Sequence, residues 1–469
     1  MQTGKTSKVC LLIPDGVGIR NYLYSDVLDG FGENEIVIWH ALPSEVIQIA
    51  SSIHQKQIGE IALKTSPESK FQKYLRESAR FARLHYIASI DNNQSAFFQW
   101  MPKKRSVLEK GYNFMVEATG KWAAKNYNRI LKLEKRYTAS VRKSAAYQNA
   151  MTKLKEDNIT TILCTHQRST ESMTIMQAAT DLGIRAIVAI FSWDNLPKAT
   201  LFCRGNQYFV WSSYMKNEML KYYPEIPETS LVITGTPQFD FYRRPAWIET
   251  KEAFYGRFNI PLDKKIICYS ANDMMSTPHD GLFLEEVCQA IEALPENERP
   301  VLMFRPLPSE PPTRYQKALK QYEKFIVVAA PIWRQAPDTS VWHLYYPLPE
   351  DLKLLVNIAY HCTGVINIGS TMGVDFSLFN KPTIYLKYNH ALPYPRFSTL
   401  EVFDFQHFRT MTGLDAVGWA YSPAEITGKL LELLQHPENV GTEKDKWRKL
   451  ITGDMVDVGK NMGKLLRGK

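Results

Sequence analysis

The chain is poor in the features that most directly declare a chemistry. Its six cysteines, Cys10, Cys164, Cys203, Cys268, Cys288 and Cys362, include no pair at C-x-x-C spacing, which speaks against a zinc cluster or a redox dithiol. Several stand inside apolar runs, as in Val9-Cys10-Leu11 and Ile267-Cys268-Tyr269, and read as reduced core residues of a cytosolic protein. No apolar run approaches the ~18–20 residues of a membrane-spanning helix, and the N-terminus enters a strand without an apolar signal segment. There is no short-period repeat and no low-complexity tract. The G-x-G of Gly16 and Gly18 lacks the third glycine of a dinucleotide-binding turn, so that reading is set aside. No D-x-D stands in a suitable loop, so neither an obligatory metal nor a bound cofactor is expected.

What is present is ordinary globular material. At 469 residues, with 45% hydrophobic and 22% charged side chains, the chain is long enough for two or three domains, each with its own core. The 57 Lys and Arg outnumber the 48 Asp and Glu, a net +9 that favours anionic partners.

Along the chain, apolar strands alternate with helical stretches. Lys8 to Ile13 is a strand, Pro14 to Asn21 a glycine-bearing turn into a helix, and Glu35 to His40 a second strand. From about 64 to 158 the character changes: helix formers, lysines and arginines dominate, interleaved with aromatics. We expect two to four amphipathic helices inserted into the first domain. They form either a helical layer with a solvated basic face or a surface that rests on acidic phospholipid through Trp100, Lys103, Lys104 and Arg105. No nucleic acid is expected. Alternation resumes with strands at 160–164, 185–191, 207–211 and 231–234. The stretch Arg243 to Pro261 reads as a linker, and a second cycle follows with strands at 266–270, 301–305 and 325–329.

The most informative stretch is Thr363 to Leu386. Val365, Ile366 and Ile368 form a strand, Gly369, Ser370 and Thr371 the turn into a short helix, Lys381-Pro382 its stop, and Thr383 to Leu386 the next strand. A helix N-terminus at such a turn presents backbone N–H groups and suits a phosphate. The expected architecture is therefore α/β: two Rossmann-like doubly wound domains facing across a cleft, with the basic helical insertion in the first. The boundaries read as 1–242, a linker at 243–261, and 262–469 including the C-terminal helices.

Leu302-Met303-Phe304-Arg305-Pro306-Leu307-Pro308, followed by Val365 to Leu386, resembles the C-terminal half of GT-B-fold bacterial surface-polymer transferases. That superfamily includes the CDP-glycerol glycerophosphotransferases and the capsule Kdo-transferase-like enzymes. Arg305, Ser370, Thr371, Asp375, Lys381 and Pro382 fit the pattern, while Leu307 stands where that family has histidine. Gly235-Thr236-Pro237-Gln238-Phe239-Asp240 resembles the Gly-x-Pro-x-x-Asp that closes the first domain in GT-B transferases and in UDP-GlcNAc 2-epimerases. The resemblance implies a glycosyltransferase that moves a sugar from a nucleotide-sugar donor to a glycan or lipid-linked acceptor. It would work in the cytoplasm, peripheral to the inner face of the membrane. The alternatives are a polyol-phosphate transferase, a sugar-nucleotide 2-epimerase and a non-catalytic glycan-assembly scaffold.

On this reading Ser270, Asn272, Arg305, Gly369, Ser370, Thr371 and Asp375 contact the donor. Arg305 would also stabilise the leaving diphosphate. Asp15 is the first candidate for the base and His166 the second. Arg20, Asn21, Asp194 and Asn195 line the acceptor side.

Overall fold

The computed structural model describes residues 7–16, 18–64, 66–102, 106–308, 310, 312–335 and 345–468. The chain divides into two compact units. One holds the described residues up to Gln238 together with those from Ile451 onward, and the other holds the described residues from Phe239 to Leu450.

The first unit is built on seven parallel strands. These are β1 (Lys8–Ile13), β2 (Ile36–His40), β3 (Gly59–Ala62), β4 (Ile159–Cys164), β5 (Arg185–Ala189), β6 (Gln207–Val210) and β7 (Leu231–Ile233), in the order β3-β2-β1-β4-β5-β6-β7. The central strands are largely apolar because helices cover both faces of a parallel sheet. Leu11, Leu12, Ile13, Ile162, Leu163 and Cys164 are all wholly buried. Between β3 and β4 stand the inserted helices Lys70–Asp91, Val107–Ala124, Tyr127–Val141 and Ala145–Glu156. Two of them start at capping boxes, Ser69 with Gln72 and Ser106 with Glu109, which satisfy N–H groups that would otherwise lack partners.

The second unit contains β8 (Ile266–Ser270), β9 (Val301–Arg305), β10 (Ile326–Val328), β11 (Trp333–Gln335), β12 (Tyr345–Pro347), β13 (Gly364–Asn367), β14 (Thr383–Leu386) and β15 (Gly418–Ala420). Six of these form a parallel sheet in the order β10-β9-β8-β13-β14-β15, and β11 pairs antiparallel with β12. Both parallel sheets are doubly wound, as the alternation of strand and helix in the sequence requires.

Two expectations about boundaries differ from what is observed. The stretch 243–261 is an integral part of the second unit. Within it, helix Lys251–Arg257 places Phe254 in a stack on His361 at 4.6 Å. Glu249 N–H donates to Asn357 Oδ1 at 2.8 Å, and the Asn357 amide donates to Trp247 O at 2.8 Å. The C-terminal helix Val458–Leu466 belongs to the first unit, where it packs on the turn Asp26–Leu28.

Candidate functional site

In the first sheet the winding direction reverses between β1 and β4, the place where doubly wound sheets take their ligands beyond the carboxyl ends of the strands. Asp15 stands two residues past the end of β1 and His166 two residues past the end of β4. The two side chains meet in a hydrogen bond between His166 Nδ1 and Asp15 Oδ2. Both residues are buried, at 4% and 8% exposure, and the imidazole rests against the Phe191 ring at 5.0 Å. The other ring nitrogen, Nε2, is buried and has no partner among the described residues. A carboxylate on Nδ1 fixes the proton there and leaves the lone pair on Nε2, the arrangement of an oriented base. Read separately in the sequence as alternatives, Asp15 and His166 form one pair.

The helical turn Ile19–Leu23, which follows Asp15 in the chain, carries a polar cluster. Arg20 Nη2 and Asn21 Nδ2 both donate to Gln238 Oε1, each at 3.3 Å, and Arg20 Nε donates to Asn21 Oδ1 at 3.2 Å. Gln238 was not singled out from the sequence, although it sits inside the quoted Gly235-to-Asp240 motif. Asp194 and Asn195 are engaged elsewhere. Lys198 pairs with Asp194, Asn195 Nδ2 donates to Asp194 Oδ1 at 2.7 Å, and Gln167 donates to Asn195 Oδ1 at 2.8 Å. These contacts hold the loop after β5.

In the second unit the expected donor residues separate into structural and open groups. Arg305 ends β9 and is buried against Asp351, with Nη2 at 2.8 and 2.9 Å from the two carboxylate oxygens and Nη1 at 3.1 Å from Ala329 O. Asp351 also accepts from Ile332 N–H and Trp333 Nε1, each at 2.7 Å. The guanidinium expected at a diphosphate is thus committed to tying β9 to helix Pro349–His361. Ser270 is buried at the end of β8. Asn272 exchanges two hydrogen bonds of 3.2 Å with the backbone of Ile368 once its amide is oriented to satisfy both, and so braces β8 to the strand end beyond β13.

At the turn itself, Gly369 has φ +70°, and an added Cβ would lie 2.7 Å from the Phe408 ring. The glycine there serves the backbone conformation and the close approach of an aromatic ring. Several N–H groups thought to be open are satisfied internally. Ser370 N–H donates to Asn367 Oδ1 at 2.8 Å, Met372 N–H to Ser370 Oγ at 3.3 Å, and Gly373 N–H to Ser370 O at 3.2 Å. Thr371 is exposed. Asp375 lies half-buried in the short helix Met372–Ser377 that follows. Asn367 was missed, and an asparagine closing a strand just ahead of a glycine turn is the signal that could have found it.

Trp100, expected on a membrane, is turned inward. Its Nε1 donates to Glu117 at 3.1 Å and its ring packs 4.8 Å from that of Phe81. Lys103, Lys104 and Arg105 lie outside the described residues. Among the described residues no cluster of three His, Cys, Asp or Glu side chains could hold a metal ion, and no helix is long and apolar enough to cross a membrane.

No protein-family model matches the chain, and no curated protein matches it. Solved structures do. The UDP-GlcNAc 2-epimerase from Methanocaldococcus jannaschii matches over 98% of this chain and 100% of its own, with 10% identity and a TM-score of 0.52. A UDP-N-acetylglucosamine 2-epimerase matches over 99% and 94%, with 12% identity and a TM-score of 0.51. The S. aureus protein MnaA, solved with UDP, matches over 98% and 94%, with 10% identity and a TM-score of 0.50. The resemblance to surface-polymer transferases is supported at the level of the fold and not of the family. The chain has the α/β fold of these epimerases, with two Rossmann-like units of the GT-B kind.

Proposed function

We propose that this chain is an enzyme acting on a nucleotide-diphosphate sugar, in a reaction of the 2-epimerase type. The observation that carries the reading is the buried Asp15–His166 pair, with its open Nε2, at the switch point of a doubly wound sheet. Likeness of fold to UDP-GlcNAc 2-epimerases over nearly the whole chain supports it. Inverting the carbon beside the anomeric centre needs a base to take its proton and a proton returned to the opposite face. Any nucleotide diphosphate that leaves in the first half must re-add at the anomeric carbon in the second. His166 with Asp15 is suited to the proton abstraction. The amide and guanidinium of Asn21 and Arg20 suit sugar hydroxyls. As a separate assignment within the second unit, we propose that Ser370 and Thr371, the latter exposed, contact a phosphate.

A second reading is glycosyl transfer, in which the same lone pair takes the proton of an acceptor hydroxyl. Such a transfer needs one base and no matched acid. Incubation with UDP-GlcNAc in deuterated water, followed by NMR, separates the two. Epimerisation places deuterium at C2 and yields the C2 epimer, whereas transfer releases UDP only when an acceptor is added. Asp15→Asn should lower either rate by about two to four orders of magnitude. No turnover with any UDP, GDP, CMP or dTDP sugar would sink the enzyme reading.

A further inference from the structure

The positive charge of this chain is concentrated in one region. Residues 64–158 hold 20 Lys and Arg against 8 Asp and Glu, a net +12, so the rest of the chain is net −3. The acids of this region are largely taken. Glu68 and Glu77 pair with Arg76, Glu134 with Arg83 and Arg204, and Asp91 with Lys221. Lys121, Lys125, Lys135, Arg136 and Lys143 are exposed and carry no ion pair among the described residues.

Helix Val107–Ala124 buries Asn113, Val116, Gly120 and Ala123 against its neighbours. Its opposite face is unusual for a surface helix. Val107 is 83% exposed, Leu108 86%, Phe114 73%, Met115 54% and Trp122 52%. These positions recur at helical spacing and form one apolar stripe about 22 Å long. At its end Trp122 and the equally open Phe71 stand on the rim of a groove of about 600 Å³, lined also by Tyr74, Leu133, Arg136 and Lys143. Arg136 and Lys143 therefore share a groove with the end of the apolar stripe, and Lys121 stands beside Trp122 on the same helix.

We propose that this face docks on an anionic lipid bilayer, with the stripe entering the boundary between headgroups and acyl chains and the lysines and Arg136 meeting lipid phosphates. The positive charge of this region selects the occupant. A second copy of the chain would bring two strongly positive surfaces together. A nucleic acid would satisfy the cations but would leave Val107, Leu108, Phe114 and Met115 without an apolar partner. The residues differ from those the sequence suggested, since Trp100 faces inward. The proposal stands independently of the nucleotide-sugar reading.

The test is co-sedimentation of the full chain with phosphatidylcholine vesicles, with and without about 30% phosphatidylglycerol. The expected result is binding to the anionic vesicles and little to the neutral ones. Leu108→Ser with Phe114→Ser, and separately Lys121→Glu with Lys125→Glu, should each lower partitioning by about tenfold or more. Circular dichroism and the thermal midpoint would confirm that both variants fold, as expected for exposed positions. Equal binding to both vesicles, no binding to either, or anionic binding untouched by the serine pair would overturn the proposal. So would a wild-type chain that ignores vesicles but dimerises or retains RNA in a manner lost in the same variants.

Discussion

A histidine acts as a directed base only when something decides which of its nitrogens carries the proton. At His166 the Asp15 carboxylate makes that decision, and burial keeps water from competing for the free lone pair. His361 shows the same side chain in a structural role. It stacks on Phe254 at 4.6 Å and donates from Nε2 to Glu249 O at 3.0 Å. Burial holds its pKa below the ordinary value of 6.5, assisted by Lys381 and Lys251 and opposed by Glu249. The folded state therefore prefers the neutral ring. The resulting stability is present above about pH 6.5 and is lost as pH falls through the depressed value. His361→Phe keeps the stack and removes the titration, so its stability should fall less between pH 7 and pH 5 than that of the native chain. The difference is bounded at about 1.4 kcal/mol per pH unit for one group. Urea unfolding at the two pH values reads it, and parallel profiles would show that the histidine does not titrate on unfolding. Little of this pairing was visible in the sequence. Asp15 and His166 could each be placed at a strand end, but not against one another across 151 residues. Arg305 likewise looked free until Asp351, 46 residues on, closed over it.

At the scale of elements, what the sequence revealed follows burial. β1 and β8 are largely apolar runs because both their faces are covered, and the run of helix formers across 64–158 announces the inserted helices. β3 was missed because it is an edge strand whose Gly59, Glu60 and Ala62 are exposed, so no apolar pattern was needed to place it. Helix packing is equally local in its demands. Gly120 lets helix Val107–Ala124 lie against helix Lys70–Asp91, and a Cβ there would stand 2.8 Å from Phe81 Cδ1 and 3.0 Å from Ser78 O. Gly111, nine residues earlier on the same helix, has nothing within 4 Å of that position. Alanine has the higher helix propensity at both sites, by about 1 kcal/mol. Gly111→Ala should therefore stabilise by about 0.5–1 kcal/mol, while Gly120→Ala should cost about 1–3 kcal/mol because the helices must move apart. Chemical denaturation of the pair of variants checks this, and equal effects at both sites would refute the packing argument.

At the scale of the whole molecule, the chain order and the architecture part company at the C-terminus. Helical spacing in the last residues announces a helix but not its address, and the sequence reading left it with the second unit. The helix buries Val458, Met462 and Leu466 in the first unit. Arg185 Nη1 donates to Leu465 O at 2.6 Å, and the Arg467 guanidinium lies over the Phe31 ring at 5.5 Å while donating to Gly30 O. Each of the three apolar side chains contributes about 1.5–3 kcal/mol by burial, so the first unit owes much of its stability to residues more than 200 positions beyond its last strand. Leu466→Ala should cost about 2–4 kcal/mol, and removal of 453–469 more. Because the lost contacts belong to one unit, hydrogen exchange should separate the two. Protection should fall at Val27 to Phe31 and in β5, where Arg185 loses its carbonyl partner, while β8 and β9 keep theirs. Uniform loss across both sheets would mean that the two units unfold as one, and the helix would then be a clasp for the whole chain and not a part of the first core.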